Sequence, residues 1–333
     1  MKDRITVEIS ARTIVFTVFF ILFVYFIGLI RDILFSIFIA FIFRSALLPI
    51  VLRLKRWHFP QTFAAVVVFF SFVTVFAGFL VFVFPPLIIE TSNFLRTIPD
   101  YLEFILPAGY EFNLDSSLNL LPNVTSSVFS LVGSLFSNTF FIIMTLFLSL
   151  YFLIQENFVR DLLINFVSDD QVVWIVEITK KVERRLAAWL WGELFLMLVI
   201  GVFTYVGLKL LGVRYALSLA VLAGLLEVVP NVGPVLSLIP AFLISLSTSY
   251  LQAVSVAALY FVIQQLENTL IVPLVMKKAV GINPIVTLIG LVIGGRLGGI
   301  LGIVLSIPAI LFIETIIVEV LKRKTESISY KEV

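Results

Sequence analysis

Charge is scarce in this chain and cysteine is absent. Only 13% of the 333 residues are Asp, Glu, Lys or Arg, too few to clothe a soluble surface of this size. Without cysteine there is no disulfide, no thiol nucleophile and no Cys-based metal site. The one histidine, His58, sits beside Trp57 and reads as an interfacial anchor. A histidine alone and at an interface argues against a Ser–His dyad and against a His-rich metal centre. No Gly-x-x-x-x-Gly-Lys-Ser/Thr loop is present, so nothing points to ATP use. No aspartate falls within an expected membrane span, which argues against an intramembrane aspartyl protease; Asp3, Asp32, Asp100, Asp115, Asp161, Asp169 and Asp170 all lie outside. The net charge of +2 is too small for a nucleic-acid partner. These absences leave a non-enzymatic protein with no cofactor and no metal site.

What the chain has is apolar surface. It is 61% hydrophobic, with 34 phenylalanines and a mean hydropathy of +1.14, so the bilayer must be its solvent. A spanning helix needs about 20 apolar residues. Thr13–Ile30, Ile33–Leu52, Thr62–Phe84, Thr139–Ile154, Leu186–Leu211 and Leu251–Val275 qualify, and the first lacks a small-residue cleavage pattern, so it reads as a retained helix. Between the fourth and fifth spans, Ser168-Asp169-Asp170 looks like a helix N-cap. The stretch after it has an apolar face and a Lys/Arg face, an amphipathic helix at the membrane surface. The expected fold is an all-α polytopic membrane protein of about 8 transmembrane segments. Its expected parts are N-terminal helices (1–84), an extracytoplasmic insert (85–137), a fourth span with the amphipathic helix (138–188), a transport core (189–321) and a cytoplasmic tail (322–333).

Lys and Arg set the orientation. With the N-terminus in the cytoplasm, 17 of the 23 basic residues fall inside. Only Arg31, Arg96, Lys209 and Arg214 fall outside, and Arg44 and Arg296 remain within the membrane. The 85–137 insert then lies outside, carrying five acids against one Arg. The protein belongs, on this count, in the cytoplasmic membrane with both termini inside.

Two interrupted apolar hairpins complete the core. One runs over 215–249 and breaks at Pro230-Asn231-Val232-Gly233-Pro234; the other runs over 282–321 and breaks near Gly294-Gly295-Arg296. Each opens with Leu-x-Gly-Leu and returns through Ile-Pro-Ala. With one span between them, the hairpins would enter from opposite sides of the membrane, an inverted repeat suited to alternating access. Re-entrant and fully spanning arms give the same topology. The arm Ala216–Val229 is only 14 residues long, which favours re-entry for the first.

Ionisable groups at bilayer depth are costly and mark function. Glu193, Glu227, Glu267, Glu314, Arg44 and Arg296 are the candidates. Glu227 precedes Pro230, where the helix must break and free its carbonyls; capping of a plain turn is the rival reading. Gln264, Glu267 and Asn268 fall at i, i+3 and i+4, one helical face. That stripe lines a wet path or glues two helices together. Gly294, Gly295, Gly298, Gly299 and Gly302 suit tight packing as well as a binding loop. Arg296 could attract an anionic solute or pair with Glu227 or Glu267. Arg44 is a buried ion-pair partner or a snorkelling side chain. The pathway set is Glu227, Pro230, Asn231, Gly233, Pro234, Gln264, Glu267, Asn268 and Arg296.

Glu227-x-x-Pro230-x-x-Gly233-Pro234, Gln265-x-Glu267-Asn268-x-x-Ile271-x-Pro273, Val280-Gly281-Ile282-Asn283-Pro284 and Gly294-Gly295 through Gly298 to Pro308 together resemble the autoinducer-2 exporter (AI-2E) family. The likeness is dense over 189–321, and the N-terminal half agrees in layout. It implies export of small molecules, with sodium(lithium)/proton antiport in some relatives and homo-oligomers as a plausible state. The leading expectation is a secondary transporter exporting a small polar solute or signalling molecule. Its partners would be that solute, sodium or protons, and membrane lipid. The alternatives are a sodium(lithium)/proton antiporter and a non-transporting membrane scaffold. The topology is testable in a cysteine-free chain. A cysteine placed near position 115 should react with impermeant reagent only from outside; reaction only from the cytoplasmic side contradicts the orientation.

Overall fold

The computed structural model describes residues 11–79, 81, 139–230, 232–276 and 283–329. The 85–137 insert lies outside the described residues. Among those described there is no strand. The elements are α1 (Ala11–Leu29), α2 (Arg31–Arg56), α3 (Gln61–Phe79), α4 (Thr139–Ile154), α5 (Phe158–Leu163), α6 (Asp169–Leu210), α7 (Ala216–Leu226), α8 (Val232–Leu246), α9 (Tyr250–Leu266), α10 (Val272–Met276) and α11 (Pro284–Ser329). Six stretches are long and apolar enough to cross a membrane: α1, α2, α3, α6, Tyr250–Val275 and Ile285–Arg323; α4, α7 and α8 are shorter apolar helices. The chain is an integral, all-helical membrane protein.

Its surface agrees with a lipid solvent. Phe16, Phe19, Phe70, Phe140, Phe147, Leu198 and Phe261 are all more than half exposed, as lipid-facing side chains would be. Among the described residues the interior forms three apolar clusters. α2, α6 and α11 meet around Val182, Leu186, Leu305 and Leu311. α6 to α9 meet around Leu208, Ala223, Ala241 and Val256. α2, α3 and α4 meet around Leu47, Val51, Ala65 and Leu153.

The amphipathic stretch is not a separate surface helix. It continues into the fifth span as one 42-residue helix, α6. The start is as the sequence indicates: the backbone N–H of Ser168 donates to Gln171 Oε1 at 3.3 Å. No Gly or Pro interrupts 169–191, so nothing stops propagation when polarity changes. The charged face is used within the protein. Lys181 pairs with Glu319 at 2.5 Å and Arg185 with Glu314 at 2.9 Å, tying α6 to α11. α6 ends where Gly212 takes φ +66. Gly212 N–H donates to the Lys209 carbonyl and Val213 N–H to that of Leu208, the paired bonds of a Schellman cap.

Both hairpins are present. α7 and α8 have 11 and 15 residues. At 1.5 Å per residue neither reaches across a hydrocarbon core of about 30 Å. In the second hairpin the break lies at Gly299, with φ +58, rather than beside Arg296. Gly294 and Gly302 then face each other so closely that a Cβ on Gly294 would sit 2.2 Å from the Gly302 carbonyl oxygen. Ser306 Oγ, donating to the Gly290 carbonyl at 2.9 Å, laces the two arms. Tight packing is therefore what Gly294 and Gly302 provide, while Gly299 makes the turn.

Arg44 joins three helices. Its guanidinium pairs with Glu183 of α6; Arg44 is buried and Glu183 nearly so. Nε donates to the Phe152 carbonyl at 2.8 Å and an Nη to that of Glu156 at 3.1 Å. These carbonyls belong to the end of α4 and its continuation, where the last helix carbonyls lack intrahelical donors. Arg44→Leu should strip Glu183 of its counter-ion and destabilise the fold by about 3–5 kcal/mol. Arg44→Leu combined with Glu183→Leu should recover a large part of that loss, read as the thermal midpoint in detergent. Equal loss in the single and double variants would contradict a buried pair.

Candidate functional site

Three helix segments bring carboxyls together. Glu193 lies on α6, Glu227 at the C-terminal end of α7, and Glu267 where α9 gives way to a π-helical turn, Glu267–Ile271. All three are buried. Glu227 and Glu267 face each other within hydrogen-bonding reach, and Glu193 lies within electrostatic reach of both. A hydrogen bond between two carboxyls needs a proton on one of them.

The π turn positions Glu267. One extra residue in the turn rotates the downstream side chains relative to a regular α-helix. Glu267 points inward while Asn268 is exposed. Gln264 donates to Glu267 Oε2 at 3.0 Å, fixing that carboxyl from one turn back. On the other side the broken hairpin fixes Glu227. Val229 N–H donates to the Leu226 carbonyl and Gly233 N–H to that of Val229, so α7 turns into α8 within a few residues. Gly233 is required there: a Cβ would lie 2.0 Å from the Leu226 carbonyl oxygen. Pro234 stands in the first turn of α8, where no intrahelical donor is needed.

Around these groups the polar atoms are incompletely satisfied. Among the described residues, Oε1 of Glu193 and Oγ1 of Thr204 have no hydrogen-bond partner, and no donor reaches Oε2 of Glu227. Pro234, Ser237, Tyr260, Gln264 and Glu267 line a narrow cavity of about 10 Å³ together with Thr204. That is close to the smallest space that holds one water. No group of three His, Cys, Asp or Glu side chains among the described residues is placed to hold a metal ion. The arrangement can bind and release a proton, and it can present acceptors to a small polar group.

The residues read from sequence separate here. Glu227, Gly233, Pro234, Gln264 and Glu267 come together, with Pro230 half-buried in the turn. Asn231 lies outside the described residues. Asn268 faces outward, turned from the stripe by the π turn. Arg296 is exposed on α11 and forms no ion pair among the described residues. Glu193 is legible in the sequence only as one membrane carboxylate among several; no local spacing ties it to Glu227 or Glu267. Thr204, Ser237 and Tyr260 give no signal, being single polar groups in apolar helices.

A polytopic helical membrane protein with two broken hairpins and buried carboxyls where one of them turns has the makings of a transporter. The AI-2E family transporter profile matches residues 14–322, and the chain belongs to that family. YueF of Bacillus subtilis (strain 168), named a candidate transport protein, is 25% identical over 85% of this chain and 83% of its own length. PerM of Escherichia coli (strain K12), named a candidate permease, is 26% identical over 70% of this chain and 68% of its own. YhhT of the same strain, another candidate transport protein, reaches 37% identity over 32% of this chain and 31% of its own.

The glycines give a graded test of the site's scaffold. A Cβ on Gly224 would lie 2.6 Å from the Met197 carbonyl oxygen, so this arm position is as intolerant as the turn. A Cβ on Gly201 would meet nothing closer than 3.5 Å. Gly233→Ala and Gly224→Ala should each lower the thermal midpoint, by overpacking of about 1–3 kcal/mol, with Gly201→Ala near wild type. Three equal midpoints would contradict the close approaches.

Proposed function

We propose that the protein is a proton-coupled secondary transporter that exports a small polar solute across the cytoplasmic membrane. One observation carries the reading: Glu227 and Glu267, buried and facing each other where a broken hairpin meets a π turn. Protons or sodium are the coupling ions such a pair suits, and the proton is favoured because two carboxyls buried side by side are most easily held with one proton between them. The hairpins over 215–249 and 282–321 gate the path as an inverted repeat, and solute approaches through Pro230, Asn231 and Gly233. Membership in the AI-2E family supports transport; the outward direction rests on the resemblance to exporters. The same carboxyls equally suit a sodium(lithium)/proton antiporter, in which cation and proton exchange at Glu267 without an organic solute.

Glu267→Gln keeps the shape and the Gln264 contact and removes the exchangeable proton. In proteoliposomes it should lower solute-driven proton flux at least about tenfold, some 1.4 kcal/mol in the barrier, with the folded yield unchanged. Sodium- or lithium-driven proton flux without solute would select the antiporter. Normal flux combined with lost stability would make the carboxyl pair a structural network and sink the proposal.

A further inference from the structure

α6 carries two neighbouring cavities on one face. The first is a cleft of about 670 Å³ between α2, α5 and α6, with basic side chains in its lining. Arg160, Lys180 and Arg184 line it, together with the Arg44–Glu183 pair and Glu156. Glu183 is neutralised by Arg44, and Glu156 by Lys55 at 2.7 Å. Arg160, Lys180 and Arg184 form no ion pair among the described residues. The cleft thus presents uncompensated positive charge.

The second cavity is an apolar groove of about 660 Å³ walled by α3, α6 and α7, with Phe76, Phe79, Leu198 and Val202 along it. All four are more than two-fifths exposed, so the groove opens to the bilayer. Arg184 and Ala187 line the cleft, and Trp191, Leu194 and Leu198 line the groove. Those spacings of three and four place all five on one stripe of α6. The step from Ala187 to Trp191 is about 6 Å along the axis, and the groove runs on about 21 Å to Tyr205. Trp191 stands at the junction, its indole N–H donating to the Ala46 carbonyl at 3.1 Å. Tryptophan occupies such boundaries between headgroups and hydrocarbon.

We infer that this stripe is a binding site for an anionic phospholipid, its phosphate in the Arg160/Lys180/Arg184 cleft and an acyl chain in the groove beyond Trp191. A charge-matched head and a chain-length apolar groove in series fit an amphiphile, and neither cavity alone would select one. The groove's length exceeds half of the roughly 30 Å hydrocarbon core, enough for one leaflet's chain. Basic clefts between membrane helices bind such headgroups on the side where Lys and Arg accumulate. The site is separate from the carboxyl pair, so its fate does not depend on the transport proposal.

The test uses the full-length protein purified in detergent. Phosphatidylglycerol and phosphatidylcholine with identical chains are added, and retained lipid is counted by native mass spectrometry. Phosphatidylglycerol should be retained preferentially. The combined variant Arg160→Ala, Lys180→Ala, Arg184→Ala should reduce that retention at least about tenfold. Leu198→Trp, at an exposed position that leaves the fold intact, should reduce it by filling the groove. Millimolar inorganic phosphate should not displace the lipid. Equal retention of both lipids, unchanged retention in the triple variant, or displacement by phosphate with no effect of Leu198→Trp would each overturn the inference; the last would mark a free-anion site.

Discussion

At bilayer depth there is no water to solvate a charge, and the protein itself must complete every buried polar group. The chain meets this constraint in two different ways. Arg44 is paired: a carboxylate from α6 lies against its guanidinium, and main-chain carbonyls at the end of α4 and just beyond it accept from Nε and one Nη. The carboxyls of Glu193, Glu227 and Glu267 have been given each other, one glutamine, and otherwise incomplete partners. The first solution is closed and holds helices together. The second leaves carboxyl oxygens without donors among the described residues, and we read that contrast as separating scaffold from site.

The backbone around the carboxyls is shaped to the same end. A π turn aims Glu267 inward and swings Asn268 out, and the Pro-rich break brings α8 back so closely that only a glycine fits at 233. Gly201 and Gly224 let α6 and α7 approach, which carries Glu193 and Glu227 toward a common point. The second hairpin uses the same device at Gly294 and Gly302, with no buried charge among its described residues. The two hairpins share a construction, and the one that carries a buried carboxyl, Glu227, is the one we read as chemical.

Much of this architecture is legible in the sequence because lipid imposes length and hydropathy directly. α1, α2 and α4 begin and end within a few residues of where apolar runs and charges place them, and Ser168 starts α6 as its side chain suggests. The family resemblance rests on motifs that coincide with the two hairpins and the turn after Gln264. The hidden features are tertiary or cumulative. Polarity changes at Arg185, yet no Gly or Pro falls between 169 and 191 and the helix runs through it. A π turn has no sequence signature, so helical spacing gives the Gln264/Glu267/Asn268 stripe one member too many. Glu193 joins the site through packing of α6 on α7, which no spacing along the chain encodes. The break at Gly299 rather than Arg296 comes from which glycine can take a positive φ while two others meet face to face.

The central claim is that Glu227 and Glu267 act as one titrating unit. Infrared difference spectroscopy of the reconstituted protein, tracking carboxyl C=O bands through a pH titration, reads this directly. Coupled sites titrate as a pair. The account predicts that Glu227→Gln shifts the titration of the band that Glu267→Gln removes, and that the reverse holds as well. Two carboxyl bands that titrate independently, each unmoved by substitution of the other residue, would contradict it.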